Sequence, residues 1–252
     1  MIVRDSLNGR SKKVKTRVVI PANPGMTSND MWLLCGDSLF GGLPVSFYPG
    51  RMDTKRMVGF EVLCVALEKI CPQAQTKLIA VDGRGGSGKS TLARYIASKL
   101  ENASVVEVDN FWLPGDVRPE RAKVIAEPGS DYDWERLRDQ VILPLSYNES
   151  GYYQRYDWSS DSLMEWHDLP IGGTVIIEGV FSTRDELAVY FDTRIWVETP
   201  EEVCLKRGYD RDGEAVRDLW DCEWMPAYAR YIKTSNPKAR ADFVVDGVEA
   251  GI

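Results

Sequence analysis

Eight consecutive residues, Gly83-Arg84-Gly85-Gly86-Ser87-Gly88-Lys89-Ser90, carry the strongest chemical signal in the chain. They meet the spacing G-x-x-x-x-G-K-[ST]. Glycines let the backbone wrap without Cβ clashes, so several N–H groups can converge on phosphate oxygens. A helix opening at Lys89 adds the positive end of its dipole. Lys89 is expected to reach the β- and γ-phosphates and Ser90 to offer its hydroxyl to Mg²⁺. Thr91 belongs to the same binding turn. A glycine-rich strand–helix turn alone would not explain why Lys-Ser falls where the helix begins. The segment therefore predicts a bound nucleoside triphosphate, read as ATP, together with Mg²⁺.

Two carboxylates stand where phosphoryl-transfer chemistry would want them. Asp109 follows the apolar stretch Val105-Val106-Glu107-Val108, and Glu178 follows Val175-Ile176-Ile177. If both stretches are strands of one parallel sheet, both carboxylates lie on the same edge as the glycine loop. Asp109 is the candidate base for an acceptor hydroxyl. Glu178 is the candidate for the Mg²⁺ shell or for the acceptor, and for either residue the alternative is a capping or solvated carboxylate at a strand end. Asp82, just before the loop, reads as structural.

The elements that must position these groups follow from periodicity. Phe60, Leu63, Cys64, Leu67 and Ile70 recur at helical spacing, so 56–70 is expected to be an amphipathic helix. Lys77 to Val81 reads as a buried strand, and Ser90 to Leu100 as the helix after the loop. Further strands are expected at 104–108, 174–177, 194–197 and 243–245. Helices are expected at 132–143, capped by Asp131, and from Pro200 to Arg207 and Glu214 to about Ile232. Alternating strands and helices predict an α/β fold: a P-loop NTPase fold with a five-stranded, mainly parallel sheet flanked by helices. Residues 1–55 are dense in Pro and Gly and read as an N-terminal extension. Residues 56–252 read as the catalytic domain.

Between the second and third expected strands lie Trp112, Tyr132, Trp134, Tyr152, Tyr153, Tyr156, Trp158 and Trp166. These rings can stack a base or pack a small subdomain core of their own. Asp133 is a candidate for a sugar diol, Arg155 for an anionic acceptor group, and Tyr156 for direct contact. His167, the only histidine, reads as structural.

Taken together, residues 76–246 resemble the uridine kinase group of P-loop kinases, which includes phosphoribulokinase-like and pantothenate kinase-like enzymes. Asp109-Asn110-Phe111-Trp112 is similar to the group's Asp-x-Phe-Tyr, whose Asp is the catalytic base. Tyr156-Asp157-Trp158 resembles Tyr-Asp-Phe, whose Tyr contacts the nucleobase. Glu178-Gly179-Val180 is similar to Glu-Gly-Ile, and Trp196-Val197-Glu198-Thr199 to Phe-Val-Asp-Thr. Arg207 with Arg211-Asp212 matches the Arg…Arg-Asp lid motif at the same spacing from it. The resemblance implies a lid at about 205–217 whose arginines close over the triphosphate. The physical argument agrees, because residues four apart share a helix face and can neutralise charge that develops during transfer. Surface ion pairing with Glu202 or Asp212 is the alternative. The chain departs from the group at two places. The histidine expected after Tyr-Asp-Phe has its counterpart near Asp161, and the tail of the lid reads Gly213-Glu214-Ala215-Val216-Arg217 where the group is rich in arginine.

Composition narrows the class. The 252 residues are 44% hydrophobic with a net charge of -7, which supports a sizeable core and disfavours nucleic acid as a partner. Five cysteines without a CxxC pair, and one histidine, predict reduced thiols in a cytoplasmic protein and no zinc site. No apolar run approaches the ~20 residues of a membrane span. The expectation is an ATP- and Mg²⁺-dependent kinase acting on a small hydroxylated acceptor such as a nucleoside. The alternative is a nucleotide-binding regulator or NTPase switch without such an acceptor.

Overall fold

The computed structural model describes residues 57–70 and 75–248. The expected N-terminal extension, residues 1–55, lies outside them. Five strands form one parallel sheet: β1 (Lys77–Gly83), β2 (Ala103–Glu107), β5 (Thr174–Glu178), β6 (Thr193–Glu198) and β7 (Phe243–Asp246). Their order is β2-β5-β1-β6-β7, with every neighbouring pair parallel. Glycine-loop strand β1 is therefore central, and β2 and β5, which lead to Asp109 and Glu178, lie to one side of it.

Both faces of the sheet are covered, which is why its strands are apolar runs. Alternate residues of β1 serve opposite cores. Ile79 and Val81 pack with Leu63 and Leu67 of α1 (Phe60–Ile70) and with Leu92 and Ile96 of α2 (Lys89–Lys99). Leu78 and Ala80 pack on the other face, with Val141, Ile142, Leu145, Tyr228 and Tyr231. The expected first helix starts four residues later than its periodicity suggests. Val58 instead pairs with Val245 as an extended bridge beside β7.

Two further differences shape the site. A short helix, α3 (Arg121–Ala126), follows Asp109, and the expected helix at 132–143 runs as α4 (Trp134–Leu137), a π turn (Arg138–Ile142) and α5 (Leu143–Ser146). Its cap is Asp133, which accepts the backbone N–H of Arg136 at 2.9 Å. Asp131, the expected cap, is buried instead, and desolvation pushes its carboxyl up to about 7. The aromatic stretch that follows is an antiparallel hairpin, β3 (Gly151–Asp157) and β4 (Ser162–Leu169), separate from the main sheet. Its core-facing residues Tyr153 and Tyr156 are buried, whereas Tyr152 is exposed.

The C-terminal third completes the cover. A one-turn helix, α6 (Asp185–Ala188), follows β5, and α7 (Glu201–Asp212) follows β6 directly after Pro200. A 3₁₀ turn, α8 (Arg217–Leu219), a π turn (Trp220–Trp224) and α9 (Met225–Ser235) come next. Asn236 ends α9 in the left-handed conformation, which Asn tolerates better than most residues. A last turn, α10 (Pro237–Arg240), leads into β7. Among the described residues no helix is long and apolar enough to cross a membrane.

Candidate active site

The glycine loop lies between the end of β1 and the start of α2. Gly88, the residue before α2, has φ 99° and makes no side-chain cap, so the first N–H groups of the helix are left for a ligand. Gly86 has φ 76°, and a Cβ on it would stand 2.3 Å from the Cys204 carbonyl oxygen. The loop is fixed from behind. Buried Asp82 accepts Gly83 N–H at 2.7 Å, Thr183 N–H at 3.0 Å and the Tyr231 hydroxyl at 2.7 Å. Thr199 donates to the Ser87 carbonyl at 2.9 Å. Lys89 curls over the loop, its Nζ donating to the Arg84 carbonyl at 2.9 Å. Arg84 itself faces Glu201, at 3.8 Å.

A cavity of about 900 Å³ opens above this edge of the sheet. Its phosphate end is lined by Gly85, Gly86, Gly88, Lys89, Ser90 and Thr91, joined by Arg94. Asp109 and Glu178 stand in its floor, because β2 and β5 are paired and place Glu107 beside Glu178. Asp109 lies in the 3₁₀ turn Val108–Phe111 and accepts the Tyr132 hydroxyl at 3.2 Å. Glu178 is buried. Desolvation raises its carboxyl to about 7, Lys89 opposes that, Asp109 adds to it, and a hydrogen bond with Ser90 again opposes it. Lys89, Ser90, Asp109 and Glu178 thus form one interacting group.

The oxygen set suits Mg²⁺. Ser90 and Glu178 would offer hard oxygen donors, and Mg²⁺ takes one or two of these with the remainder from phosphates and water. Among the described residues no three His, Cys, Asp or Glu side chains gather into a dedicated metal cage. The Ser87 hydroxyl oxygen is buried in the same loop without a hydrogen-bond partner among the described residues.

One wall comes from α7. Arg207 lines the cavity and donates to the carbonyls of Gly86 at 3.4 Å and Gly247 at 3.1 Å. Arg211 lines it too, bound to Asp212 through two hydrogen bonds of 2.6 and 2.9 Å. The ion pair with Asp212 and the position over the cavity therefore coexist in one side chain.

Of the acceptor candidates, Tyr156 lines the cavity. Asp133 and Arg155 do not. Asp133 is occupied with capping α4 and pairing Arg136 at 3.3 Å. Arg155 pairs across the hairpin with Glu165 at 2.5 Å and with Asp157 at 3.3 Å. Gly83, Arg84 and Ser87 belong to the loop but not to the cavity lining. Residues without a sequence motif complete the lining: Trp220 and Tyr228 pack against Gly85 at the phosphate end, and Arg118 and Trp224 join Trp112, Tyr132, Trp158 and Asp161 at the far end. Only the aromatic density of the region and the departure at Asp161 signalled that end in the sequence.

A sequence model of the phosphoribulokinase / uridine kinase family matches residues 78–250, which takes in all five sheet strands but for Lys77 and both carboxylates of this site. The chain belongs to that family. Relatives include a uridine kinase of Ureaplasma parvum, 25% identical over 64% of this chain and 84% of that protein. A uridine kinase of Saccharomyces cerevisiae is 26% identical over 76% of this chain and 40% of that one. Among solved structures, a possible uridine kinase from Bacillus stearothermophilus aligns with TM-score 0.59 and 21% identity, over 74% of this chain and 97% of that one. This protein is an ATP-dependent small-molecule kinase with the P-loop kinase fold.

Proposed function

We propose that this kinase transfers the γ-phosphoryl group of ATP to a hydroxyl of an uncharged nucleoside, with Mg²⁺. The observation that carries the reading is the gathering of Lys89, Ser90, Asp109 and Glu178 at one sheet edge, with an aromatic chamber beside Asp109. Lys89 and the loop amides hold the triphosphate. Ser90 and Glu178 would hold Mg²⁺, which would supply neutralisation of phosphate charge. Asp109 accepts the acceptor's hydroxyl proton while the acceptor oxygen bonds to the γ-phosphorus and the bridging oxygen leaves with ADP. Arg207 and Arg211 face the phosphate end and offset the charge that spreads over the transferring oxygens.

The uridine kinases among the relatives support a nucleoside acceptor. The net charge of -7 favours a small-molecule partner over nucleic acid, and the free cysteines Cys64, Cys204 and Cys222 favour the cytoplasm. The test is a coupled assay of ADP release across nucleosides, sugar phosphates and pantothenate. Faster release with a neutral nucleoside is the expected result. Equal release with and without every acceptor would instead point to a nucleotide switch.

A further inference from the structure

The far end of the cavity carries a side-chain cluster built around Arg118, a residue that no family motif accounts for. Arg118 lies in the segment after the Asp109 turn and is held on several sides. Its Nε donates to the Leu113 carbonyl at 3.0 Å, and Nη2 donates to Asp161 at 2.8 Å and to the Tyr156 hydroxyl at 3.3 Å. Its guanidinium centre sits 5.3 Å from the Trp112 ring centroid. Asp161 also accepts the Tyr156 hydroxyl at 2.6 Å and the Gly115 N–H at 3.1 Å. These bonds use Nε and Nη2 only. Nη1 has no hydrogen-bond partner among the described residues, on a side chain that is 29% exposed and lines the cavity.

We propose that Arg118, oriented by Asp161 and Tyr156, selects the acceptor by donating from Nη1 to a neutral ring-carbonyl oxygen of a flat acceptor.

The charge balance argues for a neutral oxygen. Asp161 offsets the charge of Arg118, and Asp109 in the same lining adds negative potential. Arg211 on the opposite wall is bound to Asp212. A phosphate-bearing acceptor would enter a region whose carboxylates outnumber its available cations. The aromatic groups argue for a flat ring. Trp158 lines the cavity yet is 53% exposed, meeting Trp112 at 4.9 Å and Tyr156 edge-on at 5.4 Å. Its remaining surface suits a stacked ring. A guanidinium whose plane is already fixed loses little further freedom on binding, so its hydrogen bond discriminates strongly between ligands with and without the matching oxygen.

The inference rests on the nucleoside reading above, and the experiment separates the two. Steady-state kinetics of the full chain are measured with uridine, ribulose 5-phosphate and pantothenate, and with uridine analogues lacking one or other ring carbonyl oxygen. Wild type is compared with Arg118→Met and Arg118→Lys. Arg118→Met is expected to raise the KM for uridine about 10- to 100-fold. The KM for ATP should stay within about twofold, and a preserved thermal shift on adding Mg²⁺–ATP verifies folding. Lys is not expected to rescue, because it lacks the planar fork. The decisive signature is a cycle: removing the relevant carbonyl should penalise wild type and leave Arg118→Met almost indifferent. Equal penalties in both proteins, or an unchanged uridine KM in Arg118→Met, overturn the role of Arg118 while leaving the nucleoside reading standing. A wild type that responds only to ribulose 5-phosphate or pantothenate, or to none of the panel, overturns both.

Discussion

The indole ring of Trp220 closes on the α-carbon of Gly85, so that a Cβ there would lie 2.7 Å from the ring. The same ring closes on Gly208 of α7, where a Cβ would lie 2.5 Å away, and its Nε1–H donates to Asp212 at 2.9 Å. Trp220 is fully buried. One side chain thus joins the phosphate loop to the helix that carries Arg207 and Arg211. Packing of this density passes displacement on rather than absorbing it.

Gly208→Ala should therefore act at a distance. The added methyl meets a ring with nowhere to go, and overpacking of this kind costs about 1–3 kcal/mol. The expected outcome is a lower melting temperature and a raised KM for ATP, because α7 must shift away from the loop. Trp220→Ala should be worse for stability, by about 3–5 kcal/mol for a buried aromatic. Chemical denaturation of the two variants, with ATP kinetics alongside, checks both. A Gly208→Ala enzyme with native stability would mean that α7 moves freely relative to Trp220.

Asp109→Asn is expected to lower kcat by about 10²–10⁴, the usual contribution of a positioned base. ATP affinity should change little, because the substitution keeps shape and removes only the proton acceptor. The Tyr132 hydroxyl, 3.2 Å from Asp109, can donate equally to the Asn oxygen, so the local fold should persist. Rapid-quench transfer assays and ATP titration separate the two effects. Transfer at the wild-type rate would remove Asp109 from the base position.

Arg211→Ala and Arg207→Ala should differ. Arg207 ties the loop carbonyl of Gly86 to Gly247, so its loss should weaken ATP binding as well as transfer. Arg211 is bound to Asp212 and not to the loop, so its loss should fall mainly on kcat. Measured KM and kcat for ATP in both variants decide this. Identical profiles would argue against separate roles.

The donor half of this site was legible because its chemistry is local. The loop from Gly83 to Ser90 needs glycines, a lysine and a hydroxyl at fixed spacing, and Asp109 and Glu178 each follow an apolar strand. The parallel sheet then brings them together without further instruction. The acceptor half is assembled from chain segments far apart in sequence. Arg118, Asp161 and Trp224 meet only through tertiary packing, and none has a spacing that predicts the others. The hairpin from Gly151 to Leu169 is hard to read in the sequence for a related reason. Tyr152 and Tyr153 stand side by side although one is exposed and the other buried, so ring content hides the alternation. Asp133 and Arg155 are candidates by type, and the structure engages them in a helix cap and a cross-strand ion pair, outside the cavity lining.

Glu178 gives the pH dependence a sign. Burial raises its carboxyl from the ordinary 4.5 to about 7 in the folded protein. Between those values the folded state holds a proton that the unfolded state has released, so stability falls as pH rises through this window. Asp131, raised to about 7 by its own burial, acts in the same direction. The ligand-free protein is therefore expected to melt at a lower temperature at pH 8 than at pH 5. Glu178→Gln removes one of the two groups and should flatten part of that slope, so the variant gains on wild type as pH rises from about 4.5 to about 7 and the difference levels off above that. Mg²⁺ favours the ionised carboxylate, so binding of Mg²⁺–ATP near pH 7 should release protons from wild type, measured as a buffer-dependent heat, and fewer from Glu178→Gln. Parallel melting curves for the two proteins from pH 5 to pH 8 would show that Glu178 does not titrate in this range.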